Sequence, residues 1–339
     1  MSLAVRRFLL KLAIHTLVIA GKALCRVRIA APLVRAVEAK LFEIRCRHSR
    51  APGPDGGALA HLFERYEPGR PPAAIYREIF SPARYRAGYY SQFGQDLFLD
   101  RWFFKSRRGG VFVDVGAYDG VTGSNTYYFE GRLGWRGVAF EANPDVVADL
   151  IRNRSCEIID GCAYEHDGTV EFVALTEAPR KAAKRPLREP LNAASIVFDG
   201  RHAGTMLSGI ESHLQERSRM SRSEREHQLQ RSTKSVKCFR IDTVLRRLEI
   251  RVVDFLDIDV EGAEYEVLRG VDFEAVHVNV ISVEWNPRFP EVHALLTDAG
   301  FEYHGLLMYD EIFVNPVLRF SWEDDREAVR GPEHPRPLR

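Results

Sequence analysis

The ten residues from Val111 to Gly120 read VFVDVGAYDG, an apolar run that breaks abruptly into a turn carrying two glycines. A run of this kind is typical of a buried parallel strand whose carboxyl end leads into a ligand-binding turn. Glycine at 116 would let the backbone approach a ligand where a side chain would collide, and Gly120 would permit a tight turn. The stretch therefore predicts the first strand of a ligand-binding sheet.

Downstream of this turn, short β-branched runs alternate with amphipathic stretches. The runs are VAFEA at 138–142, CEIID at 156–160, VDFLDIDV at 253–260 and VNVISVE at 278–284. This alternation predicts an α/β domain with a parallel sheet covered by helices. The last two runs, FEYHGLL at 301–307 and EIFVNP at 311–316, are too close together for a helical crossover. We expect them to pair antiparallel at one edge of the sheet.

Composition supports a globular protein and divides the chain. Its 339 residues are 45% hydrophobic and 11% aromatic, which excludes a disordered, collagenous or coiled-coil chain. We predict a basic amphipathic N-terminal segment over 1–50, a Pro- and Gly-rich irregular linker over 51–88, a catalytic domain over 89–317 and a C-terminal tail over 318–339. A basic, Ser-rich, weakly periodic insertion is predicted within the domain at 177–237.

Charge is distributed unevenly although the formal net charge is only +1. Residues 1–90 hold sixteen basic and six acidic side chains, and residues 178–237 hold thirteen and six. Near the N-terminus, Lys11 and Lys22 enclose only ten residues, whereas a membrane-spanning helix needs about 18 to 20. A helix lying on an anionic membrane through residues 1–40, a cleaved presequence and a helix packed on the body all stay open.

The five cysteines form no CxxC pair, so neither a disulfide framework nor a zinc site is indicated. A reducing compartment fits best, and we predict a cytoplasmic protein, with peripheral attachment to a membrane as the open alternative.

Two acidic residues at strand ends predict how a nucleoside is held. Glu141 stands twenty-one residues after Gly120, an offset at which a carboxylate accepts both hydroxyls of an adenosine ribose. Asp160 ends the following strand and precedes Gly161 and Cys162, small residues that can lie against adenine. An ordinary strand exit is the alternative for Asp160. Tyr118 replaces the second glycine of the dinucleotide fingerprint and would obstruct a pyrophosphate, so the pattern disfavours NAD.

A second acidic group ends the run at 253–260. Period-two alternation would place Asp257, Asp259 and Glu261 on one face. Like charges this close raise one another's pKa, so the group predicts a bound cation, a metal or a proton to be collected. A capped helix start would explain Glu261 and Glu264 but not the two aspartates.

Four ordered blocks resemble the FkbM-type family of S-adenosylmethionine-dependent methyltransferases. They are SQFGQD at 91–96, VDVGAYDGVTGSNTYYFE at 113–130, GWRGVAFEANP at 134–144 and FLDIDVEGAEYEVLRG at 255–270. The resemblance implies a class I, Rossmann-like methyltransferase fold with seven mostly parallel strands of which the last is antiparallel, here with a basic N-terminal helical extension. It also implies S-adenosyl-L-methionine as cofactor and O-methylation of a hydroxyl, often on a sugar, glycan or natural product.

The same resemblance implies site residues. Glu141 would hold the ribose, and Asp160 with Cys162 would border the adenine. The methionine part of the cofactor would be surrounded by Asp114, Gly116, Ala117, Tyr118, Asn125 and Thr126. The block from Asp259 to Gly262 would face the sulfonium and the incoming acceptor.

Methylation of an alcohol needs an aligned oxygen and a group that removes its proton. We predict Asp259 as this base, with Glu261 second, and His304 and Asp310 as weaker candidates. The candidate oxygen ligands for Mg²⁺ are Asp257, Asp259, Glu284 and Asp310, but nothing in their spacing requires a metal, and none is predicted. Gln92, Gln95 and Asp96 would form either a lid or a capping network. Trp285 with Asn286 would adjoin the acceptor.

The predicted partner is a small-molecule or glycan acceptor, and the sequence does not disclose the oligomeric state. Two alternatives belong to other classes. The basic insertion suggests an RNA methyltransferase, although it contains only Phe198 among aromatic residues and so lacks a base-stacking surface, which makes nucleic acid the weaker choice. The basic N-terminus suggests a membrane-associated nucleoside-binding module without turnover.

Overall fold

The structure, a computed structural model, describes residues 57–79, 83–177, 209–210, 229–286 and 288–321. The chain divides into two compact units, Met1–Pro82 and Ala83–Arg339. The predicted basic segment at 1–50, most of the C-terminal tail and most of the insertion lie outside the described residues. The expected membrane attachment through residues 1–40 lies there as well.

The described part of the first unit is helical. Helix α1 spans Gly57–Tyr66 and α2 spans Pro72–Ile79. The prediction of an irregular linker over 51–88 is therefore wrong for these stretches. The proline and glycine residues lie at the ends of these helices. Pro72 occupies the first position of α2, where its missing N–H has no intrahelical partner to lose. Gly69 has φ 76° and lies in the turn between the two helices.

The second unit contains the predicted alternation of strands and helices. Its helices are α3 Ala83–Ala87, α4 Gln95–Leu99 with a π-helical turn at Asp100–Phe104, α5 Tyr127–Leu133, α6 Val147–Asn153, α7 Ile241–Arg247, α8 Glu264–Arg269 and α9 Phe289–Asp298. Its strands are β1 Val111–Val115, β2 Arg136–Glu141, β3 Glu157–Asp160, β4 Cys162–Ala163, β5 Gly168–Glu177, β6 Gly209–Ile210, β7 Leu229–Phe239, β8 Val252–Ile258, β9 His277–Glu284, β10 Glu302–Leu307 and β11 Asp310–Val314.

Seven of these strands form one sheet in the order β10-β11-β9-β8-β1-β2-β3. β8 lies at the centre, and β1 lies beside it and pairs parallel with both β8 and β2. β11 runs antiparallel to both β10 and β9, which confirms the predicted hairpin at the edge. The seven-stranded, mostly parallel sheet with its last strand antiparallel is the predicted fold.

The central strands are apolar because both faces of the sheet are covered. All five residues of β1 and all seven of β8 are buried. Val113, Leu256 and Ile281 belong to one buried cluster that also takes in Val244 of α7 and Leu296 of α9. Since β1, β2 and β8 are parallel neighbours, their carboxyl ends meet at one edge of the sheet.

A second, four-stranded sheet has the order β4-β7-β5-β6. β5 and β7 pair antiparallel from Gly168↔Cys238 to Glu177↔Leu229. Regular structure thus resumes before the end of the predicted insertion at 177–237, because residues 229–237 belong to β7. Pairing with the whole length of β5 compensates for the weak β-propensity of these polar residues.

None of the helices in the described ranges is long and apolar enough to cross a membrane.

Candidate functional site

A cleft opens at the carboxyl edge of the large sheet. It is lined by the ends of β1, β2 and β8, by β4 and by the small sheet. The lining residues are Val115, Gly116, Tyr118, Phe140, Glu141, Ala142, Asn143, Gly161, Cys162, Ala163, Phe172, Ile210, Asp259, Val260, Glu261 and Ala263. A concave site at this edge is where α/β sheets bind their ligands.

The glycine turn after β1 is shaped by the chain itself. Gly116 has φ 90°, and a Cβ on it would overlap the carbonyl oxygen of Asp259. The sequence predicted that a ligand would approach the backbone at Gly116, but the group that lies against this glycine is the Asp259 carbonyl. Gly116 also lines the cleft. Tyr118 has φ 52°, a left-handed conformation that is uncommon for a bulky residue. Backbone strain of this kind is concentrated at functional sites.

Glu141 fastens this turn to the end of β2. Its Oε2 accepts the backbone N–H of Tyr118 at 2.7 Å, and its Oε1 accepts that of Asn143 at 2.6 Å. Burial raises the pKa of Glu141 to about 7, although these backbone hydrogen bonds oppose the shift. Each carboxylate oxygen has two lone pairs, so both oxygens retain capacity for a ligand hydroxyl.

Three carboxylates converge at the carboxyl ends of β8 and β9. Asp259, Glu261 and Glu284 each place a carboxylate oxygen within 4.8 Å of the others. Glu261 has φ 61°, so a second residue lining the cleft has a left-handed backbone. The group differs from the magnesium ligands considered from the sequence, because Glu261 takes part and neither Asp257 nor Asp310 does. An acidic group of this geometry suits a cation, and the prediction that no metal binds stays a prediction.

Two further aspartates lie buried near this group. Asp257 accepts the side-chain amide N–H of Asn125 at 3.0 Å, and its pKa is raised well above its usual value by burial and by Asp114 and Asp310. Asp310 accepts a hydrogen bond from Gln95, and burial together with Asp259 raises its pKa to about 7. Below that pH, Asp310 therefore adds no negative charge beside Asp259.

Arg154 holds together residues that were predicted to touch the cofactor. Its buried guanidinium lies 3.3 Å from Asp114, pairs with Glu130 and donates to Thr126 Oγ1 at 2.9 Å and to the carbonyl oxygen of Gly120 at 3.1 Å. Thr126 Oγ1 donates in turn to Asp114. The network ties the glycine turn to the start of α5 and the end of α6.

The predicted site residues thus divide into two groups. Six of them line the cleft: Gly116, Tyr118, Glu141, Cys162, Asp259 and Glu261. The other five, Asp114, Ala117, Asn125, Thr126 and Asp160, do not line it. Asp114, Ala117, Asn125 and Thr126 are buried, whereas Asp160 is exposed at the end of β3. A direct contact of these five with a cofactor stays a prediction.

Some cleft residues were not predicted. Phe172 of β5 and Ile210 of β6 pair in register and form an apolar cluster with Cys162 and Ala263. Nothing in the weakly periodic insertion marks Ile210. Glu284 was considered only as a metal ligand, although an acidic residue at the carboxyl end of a buried strand is the signal that drew attention to Glu141.

The segment 91–96 is held by hydrogen bonds to its own residues and to β11. Asp96 is buried and accepts the backbone N–H of Ser91 at 3.0 Å, together with hydrogen bonds from the Ser91 hydroxyl and the Tyr90 N–H. Asp96 therefore fastens residues 90–91 to the first turn of α4, and the choice between a lid and a capping network stays a prediction. Gln95, by contrast, reaches Asp310 on β11.

The cleft suits the cofactor implied by the resemblance. Cys162, Ala163 and Phe172 offer an apolar wall for a flat base, and Glu141 offers acceptors for a ribose diol. Asp259 and Glu261 provide negative charge for a sulfonium. Among the described residues, no lysine or arginine lines the cleft, so phosphate groups lack the partners they would need.

Comparisons with known proteins agree with this interpretation. The family model described as the methyltransferase FkbM domain matches residues 114–303, more than half of the chain. Methyltransferase sdnD from Sordaria araneosa is 48% identical over 54 residues, which are 15% of this chain and 21% of that protein.

Solved structures are similar only at low identity. Methyltransferase FkbM from Methylobacillus flagellatus aligns with TM-score 0.35 and 13% identity over 84% of this chain and 60% of that one. Fibrillarin from Aeropyrum pernix, solved with bound S-adenosyl-L-methionine, aligns with TM-score 0.33 and 14% identity over 66% of this chain and 73% of that one.

Proposed function

This chain belongs to the FkbM methyltransferase family, and from that premise we propose that it methylates a hydroxyl oxygen of a sugar, glycan, lipid-linked or natural-product acceptor. The enzyme class, methyltransferase, follows from the family. The choice of oxygen and of acceptor is the proposal. It is supported chiefly by the convergence of the Asp259, Glu261 and Glu284 carboxylates beside the cleft, because an alcohol must lose a proton as it is methylated.

S-adenosyl-L-methionine is the cofactor, and it supplies an electrophilic methyl group on a positively charged sulfur. Glu141 would hold the ribose hydroxyls through its two oxygens. Cys162 and Phe172 would lie against the adenine. Negative charge from Asp259 and Glu261 favours a cation at that end of the cleft.

Asp259 is the proposed general base. Its backbone N–H donates to the carbonyl oxygen of Val115 at 3.0 Å, so the residue is fixed directly against the glycine turn. A carboxylate oxygen of Asp259 would take the proton as the acceptor O–H bond breaks. General-base assistance typically contributes a factor of about 10² to 10⁴ in rate, and alignment of the acceptor oxygen contributes the rest.

A direct test supplies the full chain with methyl-labelled S-adenosyl-L-methionine and separate cellular glycan, lipid, RNA and small-molecule fractions. We expect base-stable label in a hydroxyl-bearing glycan, lipid or small-molecule fraction. Label in RNA would favour the alternative of an RNA methyltransferase. Cofactor binding without transfer to any fraction would favour the module that lacks turnover.

A further inference from the structure

Glu264, the first residue of α8, is completely buried and accepts hydrogen bonds from the loop that follows β8. One of its carboxylate oxygens, Oε1, accepts the backbone N–H of Gly262 at 2.9 Å and that of Val260 at 3.3 Å. These two N–H groups belong to the peptide bonds that directly follow Asp259 and Glu261. A single oxygen therefore holds the backbone beside each of these two cleft-lining acids.

The backbone of this loop is constrained at two points. The Asp259 carbonyl oxygen occupies the space that a Cβ on Gly116 would need, and Glu261 has a left-handed backbone with φ 61°. A left-handed conformation is unfavourable for a residue with a side chain and persists only where surrounding contacts hold it. The N–H that follows each of these residues is the one that Glu264 accepts. Glu264 therefore stabilises the strained part of the loop.

The other carboxylate oxygen of Glu264 reaches the segment after β9. Its Oε2 accepts a side-chain amide N–H of the buried Asn286. The Oδ1 of Asn286 accepts the backbone N–H of Arg288 at 2.7 Å, which fixes the orientation of the amide. Glu284 lies two residues before Asn286, at the end of β9. The three clustered carboxylates come from these two segments of chain, and the contact between Glu264 and Asn286 joins the segments.

The donors around Glu264 match a carboxylate. Three N–H groups converge on its two oxygens, and a carboxylate accepts hydrogen bonds without donating any. An amide of the same shape would direct its own N–H groups at one of these donors and leave a buried donor without an acceptor. Glu264 does not line the cleft, so it can affect the reaction only through the residues that it holds.

We propose that Glu264 is a positioning residue, which holds the loop of Asp259 and Glu261 in the geometry needed for methyl transfer. Asn286 is its partner and fixes that loop to the end of β9. Because Asp259 is the base of the proposed function, this inference rests on that function. Misplacement of a reacting group by about 1 Å can lower a rate about 100-fold. Loss of the contact should therefore lower turnover more than cofactor affinity.

Glu264→Gln tests the carboxylate, and Glu266→Gln is the matched control. Glu266 lies on the same helix and pairs with Arg288, which also belongs to the segment after β9. With the acceptor fraction that takes up label, we expect Glu264→Gln to lower kcat about 10- to 100-fold and Glu266→Gln to keep it within about twofold. Thermal unfolding checks that both variants are folded. An unchanged kcat in Glu264→Gln, or an equal fall in both variants, would show that Glu264 only stabilises α8 and would overturn the inference.

The double variant Glu264→Gln/Asn286→Asp is a rescue with the same total charge. The new amide would donate to the new carboxylate and keep its oxygen for the N–H groups of Val260 and Gly262, while the new carboxylate still accepts from Arg288. We expect kcat to return to within about threefold of the unaltered chain, because the coupling between the two positions is restored. Asn286→Asp alone sets two carboxylates against each other and should be slower than the double variant. A double variant no faster than Glu264→Gln would contradict the proposed pairing.

Hydrogen exchange separates this inference from the proposed function, because it needs no acceptor. The amides of Val260 and Gly262 should exchange about tenfold faster in Glu264→Gln and regain their protection in the double variant. Unchanged exchange in Glu264→Gln would overturn the inference. Restored protection in a protein whose unaltered form methylates no acceptor would count against the proposed function alone.

Asn286→Ala keeps the inference testable if Glu264→Gln does not fold. It removes the amide that donates to Glu264 but leaves both oxygens of Glu264 in place. We expect kcat to fall about fivefold and the amides of the loop after β8 to exchange faster. If neither quantity changes, Asn286 does not hold the loop and the inference is wrong.

Discussion

Glu141 Oε2 accepts the backbone N–H of Tyr118 across 2.7 Å and so joins the end of β2 to the strained turn after β1. One carboxylate thereby both shapes the turn and faces the cleft. Substitution of Glu141 should therefore change cofactor affinity, and substitutions of the neighbouring charged residues and glycines should change turnover or stability.

Replacement of Glu141 by alanine should weaken S-adenosyl-L-methionine binding about 10- to 100-fold in calorimetry. The variant removes the acceptors for the ribose diol and also those for the N–H groups of Tyr118 and Asn143. Asp160→Ala is the comparison, because Asp160 ends the neighbouring strand but does not line the cleft. If Asp160→Ala weakens binding equally, Asp160 contacts the adenine as the sequence predicted.

Replacement of Asp259 by asparagine should lower turnover by about 10² to 10⁴ while cofactor affinity changes much less, since a general base acts in the transition state. Single-turnover rates and calorimetry on the same preparation separate the two effects. Asp298→Asn, an exposed charge removal on α9, should leave both unchanged. A parallel loss of affinity and rate in Asp259→Asn would instead identify Asp259 as a binding residue.

Gly116→Ala should lower the free energy of unfolding by about 2 to 4 kcal/mol, because the new Cβ must displace the Asp259 carbonyl. Gly300 offers a matched control: its φ of 91° equals that of Gly116 within a degree, yet nothing lies within 4 Å of a Cβ there. Urea unfolding of Gly300→Ala reports the cost of the left-handed backbone alone. Equal losses of unfolding free energy in the two variants would show that the Asp259 carbonyl moves away from the new Cβ without cost.

Arg154→Leu should destabilise the fold by about 3 to 5 kcal/mol, because it leaves the buried carboxylates of Asp114 and Glu130 uncompensated. Arg152, two residues earlier, has a side chain that is 70% exposed and forms a surface ion pair with Asp149. Arg152→Leu should therefore cost less than about 1 kcal/mol. Thermal unfolding of both variants distinguishes a buried network from a surface pair.

Stability should fall as the pH rises from about 5 to 8. Burial raises the pKa of Glu141, Asp310 and Glu311 to about 7 in the folded protein, above the ordinary value of such groups in an unfolded chain. The folded state then binds more protons than the unfolded state in this range, so stability is present below it and is lost as the pH rises through about 7.

Glu311→Gln isolates one of these groups, since Glu311 does not line the cleft. In this variant the loss of unfolding free energy between about pH 5 and pH 8 should be smaller by an amount of the order of 3 kcal/mol. This is the free-energy equivalent of a pKa shift of Glu311 from 4.5 to about 7. Denaturant unfolding at closely spaced pH values measures it. A decline of the same size in the variant would assign the effect to other groups.

The sequence predicted most of the large sheet because its signals are local. An apolar run such as 111–115 can only be buried, and the short spacing between 301–307 and 311–316 allows only an antiparallel pair. The position of Glu141 at the end of β2 followed from the same pattern. The helices at 57–66 and 72–79 were not predicted because a sequence in which prolines and glycines lie at helix ends has the same composition as a loop.

Other features depend on contacts between distant parts of the chain. The role of Arg154 depends on Asp114, forty residues earlier, and Ile210 reaches the cleft only through its pairing with Phe172. Glu284 joins Asp259 and Glu261 because β9 lies next to β8. Strand order therefore had to be known before these side chains could be grouped.

Ile210 contributes to one wall of the cleft from within the insertion. Deletion of residues 178–228 to obtain a smaller enzyme would remove Ile210 from that wall and leave Phe172 without its partner in β6. The shortened protein would keep its central sheet and its acids but would bind the adenine end of its cofactor less tightly. In this chain the insertion cannot be separated from the methyltransferase domain by position in the sequence alone.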